Sequence, residues 1–164
     1  MLYRKILFIC HANTSRSVIA EALLKKMLAE RALHDHWSVM SGGIASYARD
    51  GALVSMDARL VLREDGIDIP ADSVSIDLKR NRHLIEDADL ILAMTDEQVR
   101  MLREAFREAD AKPVYTLKEF GGSAGDIEDP VGKGDAAYVA CRDEIKACLQ
   151  AVFARLVEQP GGPD

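Results

Sequence analysis

A cysteine and an arginine separated by five residues stand where the first apolar run of the chain ends. Cys10 and Arg16 bracket residues 11–15, and a segment of helical periodicity follows at once. A loop of this length between a strand and a helix can point successive backbone N–H groups at a phosphate, and the helix N-terminus adds positive potential. Arg16 can bind two phosphoryl oxygens at once, while the same potential favours the thiolate form of Cys10. The pattern predicts phosphoryl transfer through a covalent intermediate on Cys10, without a metal ion or cofactor.

The other loop residues fit the same chemistry. Asn13 tolerates the left-handed backbone conformation that a tight anion-binding loop requires, and Ser17 can donate a hydrogen bond to the thiolate. Because consecutive side chains usually point apart, His11 is expected on the rim of the pocket and not as a base for the cysteine. The residues expected to contact the substrate are His11, Ala12, Asn13, Thr14, Ser15 and Ser17 of the loop, together with Ser41.

Phosphoryl transfer to a cysteine also needs a proton for the leaving group, which a carboxylic acid above the strand ends could supply. The preferred candidate is Asp129, because Pro130 stiffens the backbone that follows it, and the same carboxylate could later accept a proton from the attacking water. The alternative is that the loop acids are solvated charges or helix caps, as is expected of Asp135. The glycine-rich loop over residues 120–134 contains three acids: Asp126, Glu128 and Asp129.

These residues must be positioned by the surrounding elements, and the chain alternates short apolar runs with longer segments of helical period. This pattern is typical of a parallel sheet covered by helices on both faces. Each predicted strand is apolar enough to be fully buried. The predicted strands cover Lys5 to Ile9, Trp37 to Ser41, Leu90 to Met94 and Pro113 to Leu117.

Helices are predicted directly after the first loop, over residues 53–64 up to a stop at Gly66, after Thr95, and over residues 136–157. Thr95 and Gln98 have the spacing of a capping box. The chain is expected to form one domain over residues 1–157, followed by a flexible tail over 158–164.

The composition limits the possible partners. The formal net charge is −6, which argues against general binding to nucleic acid or to an anionic membrane. The longest apolar runs are far shorter than the roughly 20 residues that span a bilayer. No signal-peptide pattern opens the chain, so a cytoplasmic location is expected.

Together these features resemble the low-molecular-weight protein tyrosine phosphatase family. Residues 10–17 are similar to the family's phosphate loop, C-x-G-N-x-C-R-S, and Asp129-Pro130 resembles its general-acid loop. The resemblance extends to residues 41–43, 88–94 and 116–120. It implies a flavodoxin-like three-layer α/β/α sandwich with a four-stranded parallel sheet. It also implies Cys10 as nucleophile, Arg16 as phosphate ligand, Asp129 as general acid, and Asn13, Ser17 and Ser41 as residues that brace the loop.

A narrower resemblance concerns the substrate, which for this family is a phosphorylated protein. Members that act on phosphoarginine carry threonine where tyrosine-specific members usually carry isoleucine, and Thr14 occupies that position. Their acid loop reads Asp-Pro-Phe-Gly, and here Val131 and Gly132 follow Asp129-Pro130. This favours phosphoarginine slightly over phosphotyrosine. Tyr47 and Val131 are expected at the substrate pocket, and the protein is expected to be a monomer or a weak dimer.

Two departures from the family pattern leave alternatives open. Ala12 replaces the loop glycine and Ser15 replaces the second loop cysteine, so a phosphate- or phosphoprotein-binding module of impaired activity is one alternative. Arsenate reduction, found in related proteins that relay oxidation through a cysteine pair, is another. Cys141 and Cys148 argue against it, since seven helical residues place them about 10 Å apart and a disulfide needs their Cα atoms within about 7 Å.

Overall fold

The structure, a computed structural model, describes residues 2–159. A four-stranded parallel sheet with the order β2-β1-β3-β4 forms its centre. The strands are β1 Lys5–Cys10, β2 Ser38–Gly43, β3 Leu90–Ala93 and β4 Val114–Thr116. The helices are α1 Arg16–Glu30, α2 Met56–Glu64, α3 His83–Asp87, α4 Asp96–Ala105, α5 Leu117–Phe120 and α6 Asp135–Glu158, with a short 3-10 helix at Arg107–Ala109.

Two apolar clusters cover the two faces of this sheet. Ile6 and Phe8 of β1 point to one face and pack with α1, α2, α5 and α6. Leu7 and Ile9 point to the other face and pack with α3 and α4. The alternation along β1 follows from the two-residue period of a strand, with both faces apolar because both are covered. The expected three-layer sandwich on a four-stranded parallel sheet is therefore confirmed.

The predicted strand positions are right to within two residues, but one expectation about burial is wrong. β1 extends to Cys10 because that residue still pairs with Gly43 of β2. β4 is an edge strand, and its residues Val114 and Tyr115 are only half-buried. It ends at Thr116, whose side chain accepts a hydrogen bond from Glu119 N and so begins α5.

The helix boundaries are set by local caps. α2 begins at residue 56, not 53, since the Ser55 side chain accepts from Ala58 N. The capping box of Thr95 and Gln98 is present at the start of α4. The predicted capping role of Asp135 is wrong: Gly134, with φ 92°, precedes the helix and Asp135 is its first residue.

The last helix reaches one residue into the predicted tail, which covers residues 158–164. Glu158 belongs to α6, and the Gln159 side chain is hydrogen-bonded to the backbone of Tyr3 at 2.6 Å and 3.1 Å. Residues 160–164 of that tail lie outside the described residues. Within residues 2–159, none of the helices combines the length and the hydropathy that crossing a membrane would require.

Candidate active site

The loop between β1 and α1 occupies the carboxyl edge of the sheet, where ligands of open parallel sheets bind. Cys10 is the last residue of β1 and Arg16 is the first residue of α1. Gly43 allows the loop to lie against β2, since a Cβ at this position would come within 2.8 Å of the His11 carbonyl oxygen. This close approach explains the glycine at the end of β2.

The carbonyl groups of the loop are turned away from its concave side. Cys10 O and His11 O accept hydrogen bonds from Ile44 N and Ala45 N, and Thr14 O accepts from Ser55 N, each at 3.0 Å. Holding the carbonyl oxygens outward leaves the inner side of the loop to N–H groups, as a phosphate requires. The Asn13 N–H group already donates to Cys10 Sγ at 3.3 Å.

Asn13 holds the loop from behind. Its φ of 61° lies in the left-handed region, as expected of this residue. The side-chain amide donates to Ser17 Oγ at 2.9 Å and to Ser41 Oγ at 2.8 Å, and its oxygen accepts from Ile76 N at 2.9 Å. The amide therefore has a partner for each of its two N–H groups and for its oxygen.

This arrangement directs the Ser17 hydroxyl at the sulfur of Cys10, the predicted nucleophile. Ser17 Oγ lies 2.9 Å from Cys10 Sγ. Because the Asn13 amide can only donate to Ser17 Oγ, the hydroxyl hydrogen of Ser17 is available for the sulfur. With the Asn13 N–H group, it gives Sγ two donors, both of which stabilise a thiolate.

Arg16 is almost completely buried, with 4% of its surface exposed, and its guanidinium is held by three groups. Nη1 donates to Ile127 O at 2.8 Å, and Nη2 lies 3.3 Å from His11 Nδ1 and 3.7 Å from Asp129 Oδ2. Nη2 carries two hydrogens and Nε carries one. With one Nη2 hydrogen directed at His11, the second Nη2 hydrogen and the Nε hydrogen form a pair of donors. This pair can bind two phosphoryl oxygens.

His11 lines the pocket and is partly exposed, and its ring contacts Gln98, a residue that the sequence analysis did not include in the site. Gln98 is fully buried, and its side-chain oxygen accepts from Met94 N and Thr95 N. Its Nε2 group must therefore be the donor to His11 Nδ1, at 3.0 Å. A nitrogen that accepts from both Gln98 and Arg16 carries no proton, so the neutral ring has its proton on Nε2. The capping-box spacing predicted the position of Gln98 but not this contact.

Of the three acids in the glycine-rich loop, only Asp129 lies beside Arg16. Asp126 instead accepts a hydrogen bond from Asp96 N at 2.9 Å, and Glu128 pairs with Lys133. That hydrogen bond from Lys133 lowers the pKa of Glu128. The Asp129 carboxylate is oriented by accepting from Val131 N at 3.1 Å, and about half of its side chain is exposed.

A cavity of about 200 Å³ opens onto Cys10. Three predicted substrate-contact residues, Asn13, Ser17 and Ser41, do not line it, because they are buried behind the loop. A larger cavity of about 860 Å³ lies on that rear side and reaches Asn13 and Ser41 but not Cys10. The smaller cavity is the one placed for phosphoryl chemistry. It is lined by Cys10, His11, Ala12, Thr14, Ser15, Arg16, Tyr47, Asp129 and Val131.

Tyr138 of α6 is buried, and it makes a polar contact that the sequence did not indicate. Its hydroxyl lies 3.2 Å from Ser15 Oγ and accepts from Ser55 Oγ at 3.3 Å. Ser55 also donates its N–H group to Thr14 O. The loop is thus held from the α2 and α6 side as well as from the β2 side.

Glu21 of α1 extends the bracing network towards the rear cavity. Ser41, whose Oγ accepts from Asn13, hydrogen-bonds to the Glu21 carboxyl through both its side chain and its backbone. Burial raises the pKa of Glu21 above its ordinary value, while Lys25 at 3.6 Å and Ser41 act in the opposite direction. A chain of hydrogen bonds therefore runs from Glu21 through Ser41, Asn13 and Ser17 to Cys10 Sγ.

The chain is similar to known proteins in sequence and in structure. The chain matches the family described as low molecular weight phosphotyrosine protein phosphatase over residues 5–160. A protein-arginine-phosphatase of Geobacillus stearothermophilus is 38% identical over 157 residues, which cover 95% of this chain and 97% of the relative. An arsenate reductase of Staphylococcus aureus (strain Newman) is 31% identical over 94% of this chain and 100% of its own length.

A solved structure of the YwlE arginine phosphatase, a mutant with a phosphorylated active site serine, is also similar. Its TM-score is 0.84 at 34% sequence identity, with 94% of this chain and 97% of that chain covered. Sequence and structure agree over nearly the whole length, and the chain belongs to the low molecular weight phosphotyrosine protein phosphatase family.

Proposed function

We propose that this protein phosphatase hydrolyses phosphoarginine residues of proteins, with Cys10 as nucleophile, Arg16 as phosphate ligand and Asp129 as general acid and base. The observation that carries the proposal is the 200 Å³ pocket, in which Thr14 and Val131 stand beside this catalytic set. A relative that is 38% identical to this chain is named protein-arginine-phosphatase.

In the first half-reaction, the Cys10 thiolate attacks phosphorus while the loop N–H groups and Arg16 bind the phosphoryl oxygens. Phosphate binding to the Nη2–H and Nε–H fork displaces the Asp129 carboxyl group, 3.7 Å away, from Arg16, and in the substrate complex this group carries the proton left by the preceding cycle. The P–N bond breaks as the S–P bond forms, and protonated Asp129 donates its proton to the departing guanidine nitrogen. The product is a free arginine side chain and a cysteinyl phosphate.

In the second half-reaction, water attacks the cysteinyl phosphate. The Asp129 carboxylate accepts a proton from this water, the S–P bond breaks, and the electron pair returns to Cys10 Sγ. Ser17 Oγ at 2.9 Å and Asn13 N at 3.3 Å then stabilise the leaving thiolate. Inorganic phosphate leaves, and Asp129 is protonated for the next cycle.

The preference for phosphoarginine rests on what surrounds the pocket. Among the described residues that line it, Tyr47 is the only phenol or phenyl side chain, and it is largely exposed. Val131 stands in the acid loop where a tyrosine-specific site would present an aromatic wall, so a phosphotyrosine ring has less surface to pack on. Thr14 lines the pocket, and we propose that its hydroxyl binds the water that hydrolyses the intermediate.

Arsenate reduction is the second candidate, since a relative with that name is 31% identical. It needs a second thiol that can react with an oxidised Cys10. Cys141 is buried on α6, and burial raises its pKa to about 12, so that it stays a protonated, weak nucleophile. Burial also raises the pKa of Cys148. These thiols favour the phosphatase reaction over the reductase reaction.

The partner and location follow from this proposal. The substrate is a phosphorylated protein, and nucleic acid and membranes are not partners. A reducing cytoplasm keeps Cys10 reduced, and all three cysteines are free. The protein acts as a monomer or weak dimer.

The test compares two peptides of the same sequence that carry phosphoarginine or phosphotyrosine. We expect wild type to release phosphate from both and to favour phosphoarginine, whereas Cys10→Ser releases none above background. The ratio of kcat/KM on the phosphoarginine peptide to kcat/KM on the phosphotyrosine peptide should fall about tenfold in Thr14→Ile. This corresponds to about 1.4 kcal/mol. Thr14→Ser keeps the hydroxyl and serves as the matched control.

The outcomes separate the parts of the proposal. Turnover by wild type that does not exceed Cys10→Ser contradicts an enzyme and supports the binding module. An unchanged ratio in Thr14→Ile contradicts the role of Thr14. Formation of a disulfide to Cys10 after addition of arsenate supports the reductase.

A further inference from the structure

The cavity of about 860 Å³ behind the catalytic loop, which we call the rear cavity, takes no part in the proposed reaction. Residues of α1 and Ser41 of β2 line one side of it, and residues of the segment 66–76 line another. Binding sites for small molecules usually have volumes of about 300–1,000 Å³. Among the described residues, none lines both the rear cavity and the pocket at Cys10, so a ligand in one leaves the other open.

The lining of the rear cavity combines an apolar part with a partly buried carboxyl group. Val18, Ile69 and Val74 belong to the apolar part. The carboxyl group is that of Glu21, whose side chain is 22% exposed, whereas that of Asp68, another lining residue, is 81% exposed. A ligand with an apolar body and one charged end matches this combination.

The sign of that charge follows from the surroundings of Glu21. Its carboxylate accepts hydrogen bonds from the N–H group and the hydroxyl group of Ser41, which leaves further acceptor positions, since a carboxylate has about four. Lys25 Nζ lies 3.6 Å from the carboxylate, beyond hydrogen-bond distance, and its side chain is half-exposed. Burial raises the pKa of Glu21, and a cation beside it favours the ionised form. Glu21 is therefore suited to bind a cationic group.

The other charged groups of the lining favour the same sign. Three carboxyl groups and two ammonium groups line the rear cavity: Glu21, Asp68, Asp72, Lys25 and Lys26. Lys26 already donates to the Asp65 carbonyl oxygen and pairs with Glu30 at 3.7 Å. An anionic ligand would thus meet more like charges than opposite ones.

The rear cavity is connected to the catalytic loop through Asn13. The Asn13 side chain has three hydrogen-bond partners, of which Ser41 and Ile76 line the cavity and Ser17 is the third. A ligand that draws Glu21 away from Ser41 therefore acts on the amide that orients the Ser17 hydroxyl. That hydroxyl lies 2.9 Å from the sulfur of the proposed nucleophile.

We propose that the rear cavity is a regulatory site for a small amphiphilic cation, an apolar molecule with one ammonium or guanidinium group that Glu21 binds. The cation competes with Ser41 for the Glu21 oxygen atoms, and this loosens the hydrogen bonds that brace the catalytic loop. Turnover falls, while the phosphorylated substrate still binds in its own pocket. The inference goes beyond the proposed function, because it concerns a second ligand and a second site.

The probe for this site is N-dansylcadaverine, which joins a fluorescent naphthalene group to a protonated amine. Its N-acetylated form keeps the apolar body without the positive charge and is the matched control ligand. In fluorescence titrations of wild type, the Kd of the amine should be about tenfold lower than that of the acetylated form, or about 1.4 kcal/mol. Inorganic phosphate, which binds at Cys10, should not displace the amine.

Two variants each remove one negative charge from the rear cavity. In Glu21→Gln, the two Kd values should differ by less than about twofold. Asp68→Asn is the matched control, because the Asp68 carboxylate is exposed and already pairs with Arg63 at 3.2 Å. We expect Asp68→Asn to keep the wild-type preference for the amine. Urea denaturation midpoints check that both variants retain the fold.

Kinetics then test the connection to the catalytic loop. At saturating N-dansylcadaverine, the kcat of wild type on 4-nitrophenyl phosphate should fall about fivefold, at the lower end of the usual coupling between two sites. KM should change little, because the substrate pocket stays open. The acetylated form should leave kcat unchanged, because it does not compete with Ser41 for Glu21.

Four results would overturn the regulatory site. Wild type binds the amine and the acetylated form equally well, or Glu21→Gln keeps the preference for the amine. Inorganic phosphate displaces the amine, which would place it in the pocket at Cys10. The amine binds without a change in kcat. A wild type that binds the amine but does not hydrolyse 4-nitrophenyl phosphate contradicts the proposed function instead.

Discussion

Replacement of Asn13 tests whether the catalytic loop is held in shape from behind. Asn13 is 2% exposed, has φ 61° and makes three side-chain hydrogen bonds, to Ser17, Ser41 and Ile76. Asn13→Ala removes all three bonds and retains a Cβ in the left-handed region. Asn13→Gly removes the same bonds but adopts that backbone conformation without strain.

The expected losses differ between the two variants. Three hydrogen bonds at about 1 kcal/mol each give about 3 kcal/mol for either variant. The left-handed conformation adds about 1 kcal/mol for alanine only. Two of the three bonds, those to Ser17 and Ser41, act on the loop itself. About 2 kcal/mol of the loss should therefore appear in catalysis, which corresponds to about a 30-fold fall in kcat/KM for Asn13→Gly.

Two measurements check this prediction. Urea denaturation gives the free energy of unfolding, and turnover of 4-nitrophenyl phosphate gives kcat/KM. We expect Asn13→Ala to be about 1 kcal/mol less stable than Asn13→Gly and about fivefold less active. A kcat/KM of Asn13→Ala within about threefold of wild type, a change of less than about 1 kcal/mol, would refute the bracing of the loop. Equal values for the two variants would refute the contribution of the left-handed backbone.

Three further predictions concern other parts of the site. Asp129→Asn should lower kcat at least about 100-fold on phosphoarginine peptides, because the leaving nitrogen needs a proton; an unchanged kcat would exclude Asp129 as the acid. Glu21→Gln should be more stable than wild type at about pH 7 but not at about pH 4. The raised pKa of Glu21 stabilises the fold below its ordinary value of 4.5, and this contribution is lost as pH rises through the raised pKa. Equal unfolding free energies of the two proteins at both pH values would contradict this. Gln98→Glu keeps the acceptor for Met94 N but loses the donor to His11, and it should raise KM about tenfold, or about 1.4 kcal/mol. In a His11→Ala background the same change should have no further effect on KM, and a full additional effect there would show that Gln98 does not act through His11.

The predictions from sequence were most accurate where neighbours along the chain decide the structure. The strands, the long helices and the capping box depend on periodicity and on residues three or four apart. The error at β4 arose because the exposure of a strand depends on strand order, and β4 lies at the edge of the sheet. The error at Asp135 arose because glycine, like aspartate, can occupy the position before a helix, and here Gly134 does so. Strand order and loop conformation are properties of the assembled fold.

The sequence by itself determined that the proposed nucleophile Cys10 and the proposed phosphate ligand Arg16 belong to one loop, because a strand ends at the first residue and a helix begins at the second. Asn13, Ser17 and Ser41 were expected to brace that loop, but tertiary structure alone decided which other groups hold it. Arg16 donates to the carbonyl of a residue 111 positions away, His11 binds one 87 positions away, and Ser15 binds one 123 positions away. Such contacts arise only when distant segments pack together, and no local pattern marks a backbone carbonyl or a buried glutamine as part of an active site.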